Sequence, residues 1–164
     1  MHGTALGIGE RVGNTEMDLL LINLHLLGAH TGDLTKLREY SQLASRACEV
    51  PIQPSYPVIG DDAFRTGTGV HAAAIIKARK KGHAWLADRI YSGVPAGDFG
   101  LGQRIEISPV SGLSNVKFWL EEHGLDSEDA KLCQRIFDEA KQTSRTLRDD
   151  EVLELVSEHR AQRA

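Results

Sequence analysis

Proline and glycine punctuation constrains this chain more than any other feature. Pro51, Pro54 and Pro57 fall close together, and Gly93, Pro95, Gly97, Gly100 and Gly102 crowd residues 90–103. Proline lacks an N–H and restricts the residue before it, so the first run predicts an extended connector and the second predicts a loop. Between these breaks the apolar residues recur every three or four positions, the period of a helix with one buried face. Helices are expected over 15–27, 33–48, Gly69–Lys80, 112–122, 128–141 and 149–159, with Asn14 or Thr15, Asp33, Ser111 and Ser127 as capping candidates. The first stripe (Met17, Leu20, Leu21, Leu24, Leu27), widened by Leu19 and Leu26, is broad enough to predict cover on most sides. Strand signals are few: a small, apolar, glycine-rich start at 1–10 and the alternating residues 104–107. The pattern predicts a mainly α chain with minor β.

Charge and composition narrow the class of function. A net charge of −4 over 164 residues gives no basic face to neutralise phosphates, which excludes nucleic acid as a partner. Apolar runs such as 19–22 are far short of the ~20 residues that cross a bilayer, and no basic-then-apolar leader is visible. Cys48 and Cys133 have no metal-ligand spacing and are expected as buried, reduced thiols of a cytoplasmic protein. The basic run Lys77, Arg79, Lys80 and Lys81 reads either as a solvated helix end or as contact with an anion. His25, His30, His83, His123 and His159 show no recurring spacing and are expected at the surface or as caps.

The loop GIGERVGN, residues 7–14, is the densest cluster of chemistry. Its spacing, Gly7-x-Gly9-x-x-x-Gly13, has one residue too many for a dinucleotide fingerprint, and no apolar strand precedes Asp33, so a nucleotide-binding reading fails. Two readings of Glu10, Arg11 and Asn14 stay open on spacing alone. They pair with each other or with neighbours at a strand end, or they point into a site at the C-terminal end of a barrel strand.

The stretch GTALGIGERVGNTEMDLLLINLHLLG (3–28) carries every fixed position of G-x-x-x-G-x-G-E-R-x-G-N. It is followed in order by AFRTGTGVHAAAIIKA (63–78), DRIYSGVPAGDFG (88–100) and SGLSNVKFWLEEHG (111–124). Together these resemble the 2-isopropylmalate synthase family, which includes homocitrate and citramalate synthases. The resemblance implies the final strand and helix of a TIM-type barrel (1–48), a Pro-rich linker (49–62), a small α+β subdomain (63–108) and a helical C-terminal subdomain (109–164). It implies condensation of acetyl-CoA with a 2-oxo acid, assisted by a divalent metal (Zn, Mg or Mn). By motif, Asn14 approaches that metal, Glu10 faces the substrate, and His71 and Tyr91 handle protons in the active site of the partner subunit of a dimer.

The resemblance also implies that the metal site here is incomplete. The family's aspartate and His-x-His ligands precede the matching region, and His2 stands alone. The chain is expected either as a portion of such an enzyme or as a non-catalytic subunit supporting a barrel-bearing partner, with no end-product-sensing domain after its last helix. Two departures, Ala72-Ala73 after His71 and Ser108-Pro109-Val110 before Ser111, resemble a divergent bacterial branch of isopropylmalate synthase. They also require that any acid orienting His71 come from elsewhere.

Overall fold

The computed structural model describes residues 2–162. These form two compact units, one from the residues up to Phe64 with Ser92–Gly102, the other from Arg65–Tyr91 with Gln103 onward. Among the described residues, no helix is long and apolar enough to cross a membrane. The chain is mainly helical, with a single two-stranded parallel pair among those residues.

In the first unit the apolar start does not form a strand. Residues Ala5–Gly7 make a 3₁₀ turn in which Leu6 and Gly7 have φ of 55° and 66°. Thr4 finds only an isolated parallel bridge to Glu16. A strand needs a neighbour to satisfy its N–H and C=O groups, and one bridge does not extend a ladder. Helix α1 follows at Met17–Leu26 with Glu16 at its N-cap, one or two residues later than the cap candidates Thr15 and Asn14 predict. Its buried residues are Asp18 and Ile22, whereas Leu26 and Leu27 are exposed, so the expected cover on most sides is not found.

Helix α2, Leu37–Cys48, starts four residues after Asp33. Asp33 instead accepts the N–H of Thr35 in a separate turn, a local bond that competes with helix entry. Leu34, Leu37 and Ser41 are the buried positions here, and Cys48 is exposed, contrary to the buried thiol expected. Pro54 and Pro57 lie in successive turns rather than in an extended connector, and these turns fold Val58 and Ile59 into the core with Ile22, Leu37, Phe64 and Phe99. The second breaker run holds a 3₁₀ turn, Ala96–Phe99, because Phe99 and Ala96 are anchored in that core. His25 is half-buried, edge-on to the Phe99 ring at 5.5 Å.

In the second unit, strands β1 (Arg65–Thr66) and β2 (Arg104–Ile105) pair in parallel, Arg65 opposite Arg104. Beside them Glu106, almost fully buried, takes a two-pronged contact from Arg65 at 2.9 and 3.0 Å, the geometry that best compensates a buried carboxylate. Helix α3, Gly69–Lys80, has the predicted bounds, with Gly82 in the left-handed region just past its end. Its buried side, Ala72, Ile75 and Ile76, packs with Ala87 of the short helix α4 (Ala84–Ala87) and with Ile105 and Phe118.

Helices α5 (Leu113–Glu122), α6 (Ala130–Gln142) and α7 (Asp149–Ala161) enclose a second core around Val116, Leu120, Ile136 and Val152. The cap of α6 is Asp129, not Ser127: its Oδ1 accepts the N–H groups of Lys131 and Leu132. His159, expected at the surface, is buried against the same aspartate, 3.0 Å from Oδ2.

Candidate active site

The glycines of 7–14 are required by the way this loop closes. Asn14 donates its backbone N–H to the Gly7 carbonyl at 2.8 Å, and Gly13 donates to Glu10 at 2.9 Å. Gly13 has φ of 93°, and a Cβ there would stand 2.3 Å from the Gly7 oxygen. A Cβ on Gly9 would meet the Asn14 side-chain nitrogen at 2.0 Å. Gly13 admits no side chain, because its left-handed φ and the Gly7 carbonyl both oppose a Cβ, whereas a Cβ on Gly9 would displace the Asn14 side chain. The Asn14 amide thus lies over Gly9, with Nδ2 donating to Ile8 O at 3.4 Å, so that its Oδ1 remains as an acceptor.

At the loop tip Glu10, Arg11 and Val12 are exposed, with Arg11 at φ 58°. Among the described residues Glu10 and Arg11 form no ion pair, which removes the reading in which they neutralise each other. A divalent cation takes four or more ligands. The loop offers one neutral amide oxygen and one exposed carboxylate, and among the described residues no three His, Cys, Asp or Glu side chains gather for a metal. The residues of this chain do not by themselves fit the metal that the resemblance implies.

His71 and Tyr91 are 20 positions apart and meet through the turn from α3 to α4. Their rings stack with centroids 4.0 Å apart and planes 26° from parallel. Ala72 is fully buried, so the first turn of α3 is pinned by its inner side while His71 faces outward. Both rings are exposed, Tyr91 to 52%. No carboxylate hydrogen-bonds His71 among the described residues; the aromatic contact orients it.

Sequence reasoning missed the network that holds the entrance to α3. Ser111 does not cap α5. Its hydroxyl accepts the N–H of Ser108 at 2.8 Å and donates to Gly67 O at 2.6 Å. Asn115, fully buried, donates to Glu106 O at 2.9 Å and to Gly67 O at 3.2 Å, and accepts the Gly112 N–H at 3.2 Å. Gly69 N donates to Val110 O, so the turn before His71 is tied to the start of α5 on both sides. The available signal was the pair Ser111 and Asn115, small polar residues four apart at the head of an apolar helix. A cleft of about 550 Å³ at the ends of α6 and α7, lined by Asp126, Asp129, Lys131 and His159, contains none of the predicted site residues.

No family model matches the chain. Curated relatives match most of it. A homocitrate synthase of Saccharolobus islandicus is 30% identical over 161 residues, 96% of this chain and 33% of its own length. An (R)-citramalate synthase of Sulfolobus acidocaldarius is 34% identical over 139 residues, 80% of this chain and 25% of the relative. A 2-isopropylmalate synthase of Buchnera aphidicola is 29% identical over 138 residues, again 80% and 25%. The chain belongs to the isopropylmalate, homocitrate and citramalate synthase family. It spans a quarter to a third of the length of these synthases. In this family member the 7–14 loop belongs to the first unit and the His71–Tyr91 pair to the second.

Proposed function

We propose that this chain is the C-terminal portion of a 2-isopropylmalate synthase catalytic unit, its first residues completing a TIM-type barrel and the remainder forming the following subdomains. The reaction joins the methyl carbon of acetyl-CoA to the keto carbon of 2-oxoisovalerate, and thioester hydrolysis then releases CoA. The observation that carries this reading is the exposed His71–Tyr91 stack, which pairs two proton-handling side chains with no structural partner to occupy the imidazole nitrogens. His71 takes or returns a proton as the enolate forms or as water attacks the thioester, and Tyr91 fixes its ring and offers the phenol. Glu10 presents a carboxylate toward the 2-oxo acid, and Asn14 would lend its amide oxygen to a metal whose other ligands come from outside these residues, both on a loop whose shape the glycines set. In a homodimer, His71 and Tyr91 serve the site of the partner copy, in the cytoplasm.

The alternative is a non-catalytic subunit that supports assembly of a barrel-bearing chain. Both readings meet in one experiment. The chain is mixed with a barrel-bearing chain that carries the His-x-His ligands and a divalent metal. CoA release from acetyl-CoA is then followed with 2-oxoisovalerate, pyruvate or 2-oxoglutarate. The proposal expects fastest release with 2-oxoisovalerate and at least ~100-fold loss in His71→Ala. Preference for pyruvate or 2-oxoglutarate reassigns the substrate to the citramalate or homocitrate type. Equal rates for wild type and His71→Ala overturn the role of His71, and release that does not depend on this chain supports the subunit reading.

A further inference from the structure

Asp18 is an acidic residue in the first turn of α1, a place where a carboxylate normally stays in water and steadies the helix dipole. Here it is completely buried. Its Oδ1 accepts the N–H of Leu6 at 2.8 Å. Leu6 has φ of 55°, a left-handed conformation that a residue with a side chain leaves unless something holds it. The next residue, Gly7, is also left-handed, and its carbonyl is the acceptor for the N–H of Asn14. The direction of the Gly7 carbonyl follows from the backbone angles at Leu6 and Gly7. The bonds therefore form a relay, from the Asp18 carboxylate through the Leu6 N–H and the Gly7 carbonyl to the Asn14 N–H.

The second oxygen of Asp18 is buried without a hydrogen-bond partner, and so is the hydroxyl of Tyr56. The two groups act on each other: burial first, then Asp18, pushes the Tyr56 phenol well above its ordinary value. Tyr56 belongs to the proline-rich turns packed into the first core.

We propose that Asp18 is the positioning residue that sets the conformation of the Glu10–Asn14 loop. This rests on the reading of that loop as part of the synthase site, and the test separates the two. Amide hydrogen exchange is measured by NMR on the full chain for wild type, Asp18→Ala and Asp18→Asn. Asp18→Ala raises exchange at both Leu6 and Asn14 about ten- to a hundred-fold, while amides of α6 keep their protection. Asp18→Asn retains an oxygen acceptor, so both amides shift together by less, which keeps the test open should the alanine variant not fold. Faster exchange at Leu6 with Asn14 unchanged, in either variant, overturns the relay. In the CoA-release mixture, Asp18→Ala and Asn14→Ala should lose turnover to a similar degree, with Asp18→Asn rescuing part of it. Full activity of Asn14→Ala would overturn the catalytic reading of the loop, and the exchange data would still decide the relay.

Discussion

Replacing Asn115 with alanine tests whether the entrance to α3 is held as the geometry indicates. The side chain is fully buried and makes three bonds, to Gly67 O, Glu106 O and Gly112 N. Gly67 O keeps the single Ser111 hydroxyl proton at 2.6 Å, so Glu106 O, 3.2 Å from that hydroxyl, loses its side-chain donor, and the Gly112 N–H has only Asn115. An orphaned donor costs about 1–3 kcal/mol and each net hydrogen bond lost about 1 kcal/mol, so a loss of about 2–4 kcal/mol is expected. Asn115→Asp should cost more, because it aims a second oxygen at two carbonyls. Ser111→Ala combined with Asn115→Ala should exceed the sum of the single losses, since Gly67 O is then left with a 3.4 Å contact to Ser108. Both tryptophans, Trp85 and Trp119, lie in the second unit, so urea unfolding followed by tryptophan fluorescence reads that unit alone. An Asn115→Ala change under about 0.5 kcal/mol at constant m would refute the argument.

The remaining predictions use other parts of the chain. Glu151 has its carboxyl lowered to about 2, first by the hydrogen bond from Arg145 and then by the Arg148 N–H. A depressed carboxylate contributes stability above its unfolded value of 4.5 and loses it as pH falls toward 2. Glu151→Gln should flatten the acid limb of second-unit stability across that window, and an unchanged pH profile would remove the pair from the account. Cys48 is exposed and Cys133 is buried with its thiol pushed up by burial. A thiol reagent should therefore label Cys48 in the native chain and Cys133 only on unfolding; rapid native labelling of Cys133 would contradict the packing. Gly13→Ala meets both a φ of 93° and a 2.3 Å clash with Gly7 O, so it should expose the Asn14 amide to exchange. Retained protection of that amide would show that the loop closes differently.

Much of the helical framework was legible because it depends on local order. The bounds of α3 follow from its alanine-rich, breaker-free run and from Gly82. The start of α7 follows from Asp149, Asp150 and Glu151 gathered in its first turn. Caps were less legible, since Ser111 and Asp33 each had another partner to satisfy and Asp129 displaced Ser127. The four candidate site residues were named through ordered motifs resembling a family; spacing alone left Glu10 and Asn14 between structural and chemical readings.

The sequence by itself determined where helices can run and where the breaks fall, because these follow from the restricted φ and missing N–H of proline, the freedom of glycine and a period of 3.6. Tertiary structure decided what each polar residue does. Asp18 became buried and bound to Leu6, Ser111 turned from cap to clamp, and His71 met Tyr91 across 20 positions. The physical reason is that a hydrogen bond or a ring contact belongs to two partners. Pattern along a chain names the candidates, and only packing of separated segments chooses the pair.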